Sequence, residues 1–130
     1  MPTPSADKLR LYIETARQRQ HDERERRRLR RELGLAVAKD AADVLRNHFG
    51  VSQVVLFGSA LDVETFHEAS DIDLAVWGLP PKDYVSAVAH LLDFSEFSID
   101  LVLAERADPY LQEAIAKGCT LGTSTTEMVP

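Results

Sequence analysis

Cysteine is almost absent from this chain. A single residue, Cys119, in 130 leaves no partner for an internal disulfide and excludes a zinc cage built from cysteines. Long apolar runs are missing too, and none approaches the ~20 residues needed to cross a bilayer. The first residues, Met1-Pro2-Thr3-Pro4-Ser5, lack the basic-then-apolar pattern of a secretion signal. These absences predict a soluble, cytoplasmic protein with no membrane association. No internal repeat is visible, and the length suits one domain of ordinary size with room for an appendage.

Basic charge is scarce over most of the chain and concentrated at one end. Residues 1–31 carry ten Lys or Arg against five Asp or Glu, a net of +5. Residues 32–130 carry five against sixteen, a net of −11, within an overall charge of −6. A basic arm on an acidic body suggests two jobs, or one body and one docking surface. The acidic body argues against direct nucleic-acid binding, because neutralising phosphates takes clustered Lys and Arg.

The arm reads as helix. Ser5 is a suitable N-cap, and nothing from Ala6 to about Leu33 breaks a helix. Between Arg17 and Arg28 there is almost no apolar residue, so this stretch cannot bury a face. It is a solvated helix, a partner-bound helix or a partly disordered arm. Leu9, Tyr12, Ile13 and Ala16 form a short apolar stripe at helical spacing, available for docking. After Gly34 the pattern becomes amphipathic, with Leu35, Ala38, Ala41, Ala42, Leu45 and Phe49 on one face and Gly50 as the C-terminal stop. The expected division is an arm over 1–33, a body over 34–122 and a loose Thr/Ser-rich tail over 123–130.

Within the body, Val51–Phe57 reads as a strand covered on both faces. Gly58-Ser59 ends it. A second strand is expected over Asp71–Trp77, a helix over Lys82–Leu92, a third strand over Ser98–Leu103 and a short helix over Tyr110–Ala116. Cys119 reads as a small core residue, and Trp77 and Tyr84 as packing residues.

Period-two geometry places Asp71 and Asp73 on one face of the second strand, opposite Ile72, Leu74 and Val76. Aspartate is disfavoured in strands, and two same-face carboxylates repel. A cation relieves this, and oxygen-only ligands point to a hard one, magnesium or manganese. The bland alternative is an edge strand whose outer face is wet. Asp100 is again a lone acid in the third strand. The segment 78–97 is long enough for a helical crossover, so strands two and three can lie parallel, while the shorter link 58–70 allows strands one and two to run antiparallel. That topology gathers Gly58-Ser59, Asp71, Asp73 and Asp100 at one sheet edge. Gly58 permits close backbone approach, and Ser59 adds a hydroxyl and an amide, a cradle suited to phosphate.

The sequence Leu56-Phe57-Gly58-Ser59, then Ser70-Asp71-Ile72-Asp73-Leu74, then Ile99-Asp100-Leu101-Val102, resembles the DNA polymerase beta-like nucleotidyltransferase superfamily. The likeness spans roughly Gly34 to Leu121 and is greatest to the minimal nucleotidyltransferase (MNT) proteins. It implies an α/β (α+β) fold, a small mixed sheet flanked by helices, here carrying a basic N-terminal helical extension. It also implies ATP as substrate and two divalent ions, Mg2+ or alternatively Mn2+. Asp71 and Asp73 would hold the metals bridging the phosphates, and Asp100 would bind the catalytic metal and help deprotonate the acceptor. Gly58, Ser59 and Ser70 would contact the nucleotide. Two departures stand out. Ala60-Leu61-Asp62 replaces the family's common Ala-Arg-Gly, and the spacing to the first aspartate is one residue longer, giving a reshaped loop through Thr65-Phe66-His67.

Stand-alone MNT proteins resemble the antitoxin half of HEPN/MNT toxin–antitoxin modules. The resemblance therefore implies AMP transfer to a tyrosine of a HEPN-type ribonuclease toxin, within a hetero-oligomer. Two alternatives stay open. One is a binding antitoxin without useful catalysis. The other is a nucleotidyltransferase acting on a small molecule or RNA.

Overall fold

The structure, a computed structural model, describes residues 5–122; the expected loose tail lies outside them. One helix, α1, runs from Ala6 to Phe49 without a break. At 1.5 Å per residue its 44 residues are about 66 Å long, far more than the body needs. Ser5 caps it by accepting from the Lys8 amide at 3.2 Å, and Gly50, at φ 70°, closes it in the left-handed conformation. The change of sequence character at Gly34 therefore marks a change of surroundings rather than an end of helix. Residues 6–22 are exposed throughout, whereas Gly34, Ala38, Ala41, Ala42 and Leu45 are buried.

Four strands follow: β1 (Gln53–Phe57), β2 (Ile72–Trp77), β3 (Ile99–Leu103) and β4 (Cys119–Thr120). They form one sheet in the order β3-β2-β1-β4. β1 and β2 pair antiparallel and β2 and β3 parallel, the polarity expected from the connection lengths. Helix α2 (Tyr84–Leu92) makes the crossover, and α3 (Pro109–Ala116) leads into β4. The result is a mixed α/β fold, a four-stranded sheet between helices.

Alternation along the strands sorts the core into two layers. Val54, Leu56, Ile72, Leu74, Val76 and Leu101 face α1 and α2. Val55, Phe57 and Ala75 face the other way, against Ile115 and Leu111 of α3. Tyr84 ties α2 to the sheet by donating its hydroxyl to the Leu101 carbonyl at 2.6 Å. Phe66, from the link between β1 and β2, is fully buried and stacks on Phe97 with centroids 6.2 Å apart.

Three details differ from expectation. β4 was not anticipated, because two residues give no periodicity to read. Cys119 is exposed rather than core, since it lies on this edge strand. β2 also begins at Ile72, which leaves Asp71 just ahead of the strand.

Candidate active site

The register of three strands builds the site. Phe57 at the end of β1 pairs with Asp73, and Asp73 pairs in turn with Asp100 of β3. Gly58 follows Phe57, so the chain leaves β1 beside the Asp73 carboxylate. Contact is close: a Cβ placed on Gly58 would stand 2.3 Å from Asp73 Oδ2, and the backbone there has φ 79°. Only glycine fits, on steric and on conformational grounds. Gly58-Ser59-Ala60-Leu61 then makes one 3-10 turn.

The acids differ in setting. Asp71 and Asp100 are exposed, and Asp73 between them is half-buried. Burial, and then the neighbouring charges of Asp100 and Asp71, push the Asp73 carboxyl up to about 6. Among the described residues none of the three forms an ion pair, so no protein cation relieves this charge. Nor, among the described residues, do any three His, Cys, Asp or Glu side chains stand gathered as a ready metal cage. The donor set still fits a hard divalent ion. It is all carboxylate oxygen, its central member is held against a side-chain-free backbone, and its mutual repulsion is what a cation would remove. Asp71, Asp73 and Asp100 would hold such ions, drawn together by them and by the ligand's own oxygens.

The remaining sequence-predicted residues take supporting places. The Ser70 hydroxyl accepts from the His67 amide at 3.0 Å and points to the Thr65 carbonyl at 3.4 Å, so it staples the loop ahead of Asp71. The Ser59 carbonyl accepts from the Thr65 hydroxyl at 2.8 Å, tying the same loop to the turn. His67 is exposed and lines a groove of about 420 Å³ with Arg26, Arg27 and Arg30 of α1. A second groove, of about 470 Å³, starts at Asp100 and runs past Val102, Arg106 and Leu111 to Asp108.

Sequence reasoning missed the arginines behind the turn. Arg31 donates to the carbonyls of Ala60 and Leu61, at 2.8 and 3.1 Å, and Arg30 to that of Glu68 at 3.1 Å. Their spacing marks one helical face, but carbonyl partners some thirty residues away leave no trace in a sequence.

A mixed sheet that sets a Gly-Ser turn against paired strand aspartates defines a nucleotidyltransferase fold. The profile of the family described as "Polymerase beta, Nucleotidyltransferase" matches residues 39–125, and the chain belongs to that family. Among solved structures, the chain is similar to a toxin–antitoxin crystallised with AMP-PNP. Identity is 23%, coverage 68% of this chain and 76% of that one, and TM-score 0.55. It is also similar to a mutant of the toxin–antitoxin MntA-HpeT, at 22% identity, 66% and 72% coverage, and TM-score 0.53. At these identities the likeness is one of fold. No curated protein matches the chain.

Proposed function

We propose that this protein is an ATP-dependent nucleotidyltransferase that moves AMP onto a hydroxyl, a tyrosine in the leading reading, of a HEPN-type ribonuclease toxin and thereby acts as its antitoxin. The observation carrying the reading is the register row Phe57–Asp73–Asp100 with Gly58 packed on Asp73. It sets Gly58, whose bare backbone suits close phosphate approach, beside carboxylates whose mutual repulsion a cation would relieve. Family membership supplies the reaction class. The fold neighbours are toxin–antitoxin structures, one with a non-hydrolysable ATP analogue, which favours a nucleotide and a protein partner.

In this reading the Gly58-Ser59 backbone lies along the triphosphate, and Asp71, Asp73 and Asp100 would hold the magnesium. Magnesium, when bound there, would neutralise charge developing on the phosphates and ease loss of the acceptor's proton. Asp100 orients the acceptor and takes its proton. The acceptor oxygen bonds to the α-phosphorus, the bond from that phosphorus to the bridging oxygen breaks, and pyrophosphate leaves. The groove beyond Asp100 gives the acceptor segment room to approach from the open edge of β3.

A second reading, an antitoxin that binds without turnover, draws on the missing Arg after Gly58-Ser59 and on the aspartates not being gathered in advance. One experiment separates the two. The protein is incubated with the product of the adjacent reading frame, ATP and magnesium, and intact masses are recorded. AMP-sized increments on the partner that vanish in Asp71→Ala/Asp73→Ala support transfer. Toxin inhibition that survives the double substitution, with no mass gain, supports binding alone. Mass gained by an RNA or a small molecule instead would overturn both.

A further inference from the structure

Helix α1 reaches the candidate site through three arginines on one face. Arg27, Arg30 and Arg31 stand at positions i, i+3 and i+4, so they point the same way. Each meets a different part of the segment after Gly58-Ser59. Arg27 lies 3.9 Å from the Glu64 carboxylate. Arg30 donates to the Glu68 carbonyl while its guanidinium rests 4.5 Å over the Phe97 ring. Arg31 is the most informative, because its Nε and Nη2 take the successive carbonyls of Ala60 and Leu61. Two parallel bonds from one rigid fork fix the plane of a turn, where a single bond would fix only an atom. Arg31 is half-buried, so water competes weakly for those carbonyls. Leu61 itself brings no charge to the turn, and Arg31 puts a permanent cation behind it.

We infer that Arg31 is a positioning residue for the Gly58–Leu61 turn. It holds the turn in the conformation that receives the triphosphate and makes α1 a structural part of the nucleotide site. The inference rests on the reading of Gly58-Ser59 as the phosphate contact. It goes beyond that reading by adding a residue from outside the matched segment 39–125. It also predicts that anything gripping the arm near Arg27–Arg31 alters nucleotide affinity.

The test compares the full-length wild type with Arg31→Met, which keeps length and loses charge and donors, and Arg31→Lys, which keeps the charge without the fork. Titration calorimetry measures Mg-ATP, with magnesium pyrophosphate and adenosine as competing probes. Hydrogen exchange follows the amides of residues 59–68, and melting controls for folding. The expected result in Arg31→Met is a Kd for Mg-ATP weaker by on the order of tenfold, the scale of one charge-assisted bond. Pyrophosphate affinity should fall and adenosine affinity hold, with faster exchange in 59–68. Arg31→Lys should lie between. If AMP transfer is observed, KM for ATP rises more than kcat falls. Should Arg31→Met not fold, Arg31→Lys decides by the same split between pyrophosphate and adenosine. Equal losses for both probes, or variants matching wild type in binding and exchange, overturn the inference while the reading of the site stands. A wild type that binds no Mg-ATP overturns both.

Discussion

At the scale of single residues, Asp73 shows how the sheet sets chemistry. Its strand neighbours are apolar, its register partner is another aspartate, and Gly58 closes over it. These surroundings push its carboxyl up to about 6 from an ordinary 3.8, first through burial and then through Asp100 and Asp71. The sign follows from linkage. The folded chain holds this proton more tightly than the unfolded one, so the contribution to stability is greatest below about pH 4. It declines as pH rises through 6 and stays low above. Because Asp73 is only half-buried, solvent screening keeps the size modest. Asp73→Asn should therefore raise the melting temperature of the metal-free protein at pH 8 by a few degrees, and by a smaller amount at pH 5, where the loss is only partly complete. Added magnesium should stabilise wild type at pH 8 and do less for the variant. Thermal melts in chelator and in magnesium at the two pH values check this, and a variant less stable at pH 8 than at pH 5 relative to wild type would refute it. Asp73, and its partnership with Asp100, were legible in the sequence because period two and strand polarity are local rules. The close packing of Gly58 on Asp73 was not, since it depends on how tightly the strands pack.

At the scale of elements, the link between β1 and β2 behaves as an anchored loop. Asp62 accepts from the Glu64 amide, Thr65 bonds back to Ser59, and Ser70 closes the turn on His67. The anchor is Phe66, wholly buried beneath α1. The helix makes room for it at Gly34, where a Cβ would come 3.2 Å from Phe66 Cζ. The glycine that read as a boundary between helical segments is thus a contact point within one helix. It accepts a propensity cost of about 1 kcal/mol for close packing. Sequence periodicity identified the helix and its Gly50 stop but not this contact, because a buried residue inside a polar loop carries no periodic signature. Phe66→Ala should destabilise the fold by about 3–5 kcal/mol, the usual cost of emptying an aromatic site in a core. In urea unfolding the midpoint should fall, and exchange at residues 60–70 should rise more than in β2. A loss under 1 kcal/mol would mean that the loop is not held from the core.

At the scale of the whole molecule, the basic arm and the acidic body belong to one rod-and-sheet arrangement. Arg28 ties Glu25 and Glu32 along the rod, each at 2.8 Å, so part of the arm's charge is spent on keeping it helical. Ahead of the Arg27–Arg31 contacts, residues 6–22 of the rod are exposed throughout. Leu9, Tyr12 and Ile13 are exposed there at 53%, 74% and 42%, an apolar stripe too small to fold on its own but long enough to pack one helix of a partner. The division read from charge, an arm over 1–33 and a body over 34–122, can be tested by where the chain is cut. A chain beginning at Glu23 keeps the arginine contacts, and its melting should stay within about 0.5 kcal/mol of wild type, as for other surface changes. Its complex with the proposed toxin should weaken on the order of tenfold, because the stripe is gone. A chain beginning at Gly34 loses Arg27, Arg30 and Arg31 together. It should melt lower and exchange faster at residues 60–68, even with no partner present. Melting of both truncations, alongside calorimetry with the toxin, separates a docking arm from a structural one. If the chain from Glu23 binds the toxin as tightly as wild type, the exposed stripe is no docking surface and the partner meets the body instead.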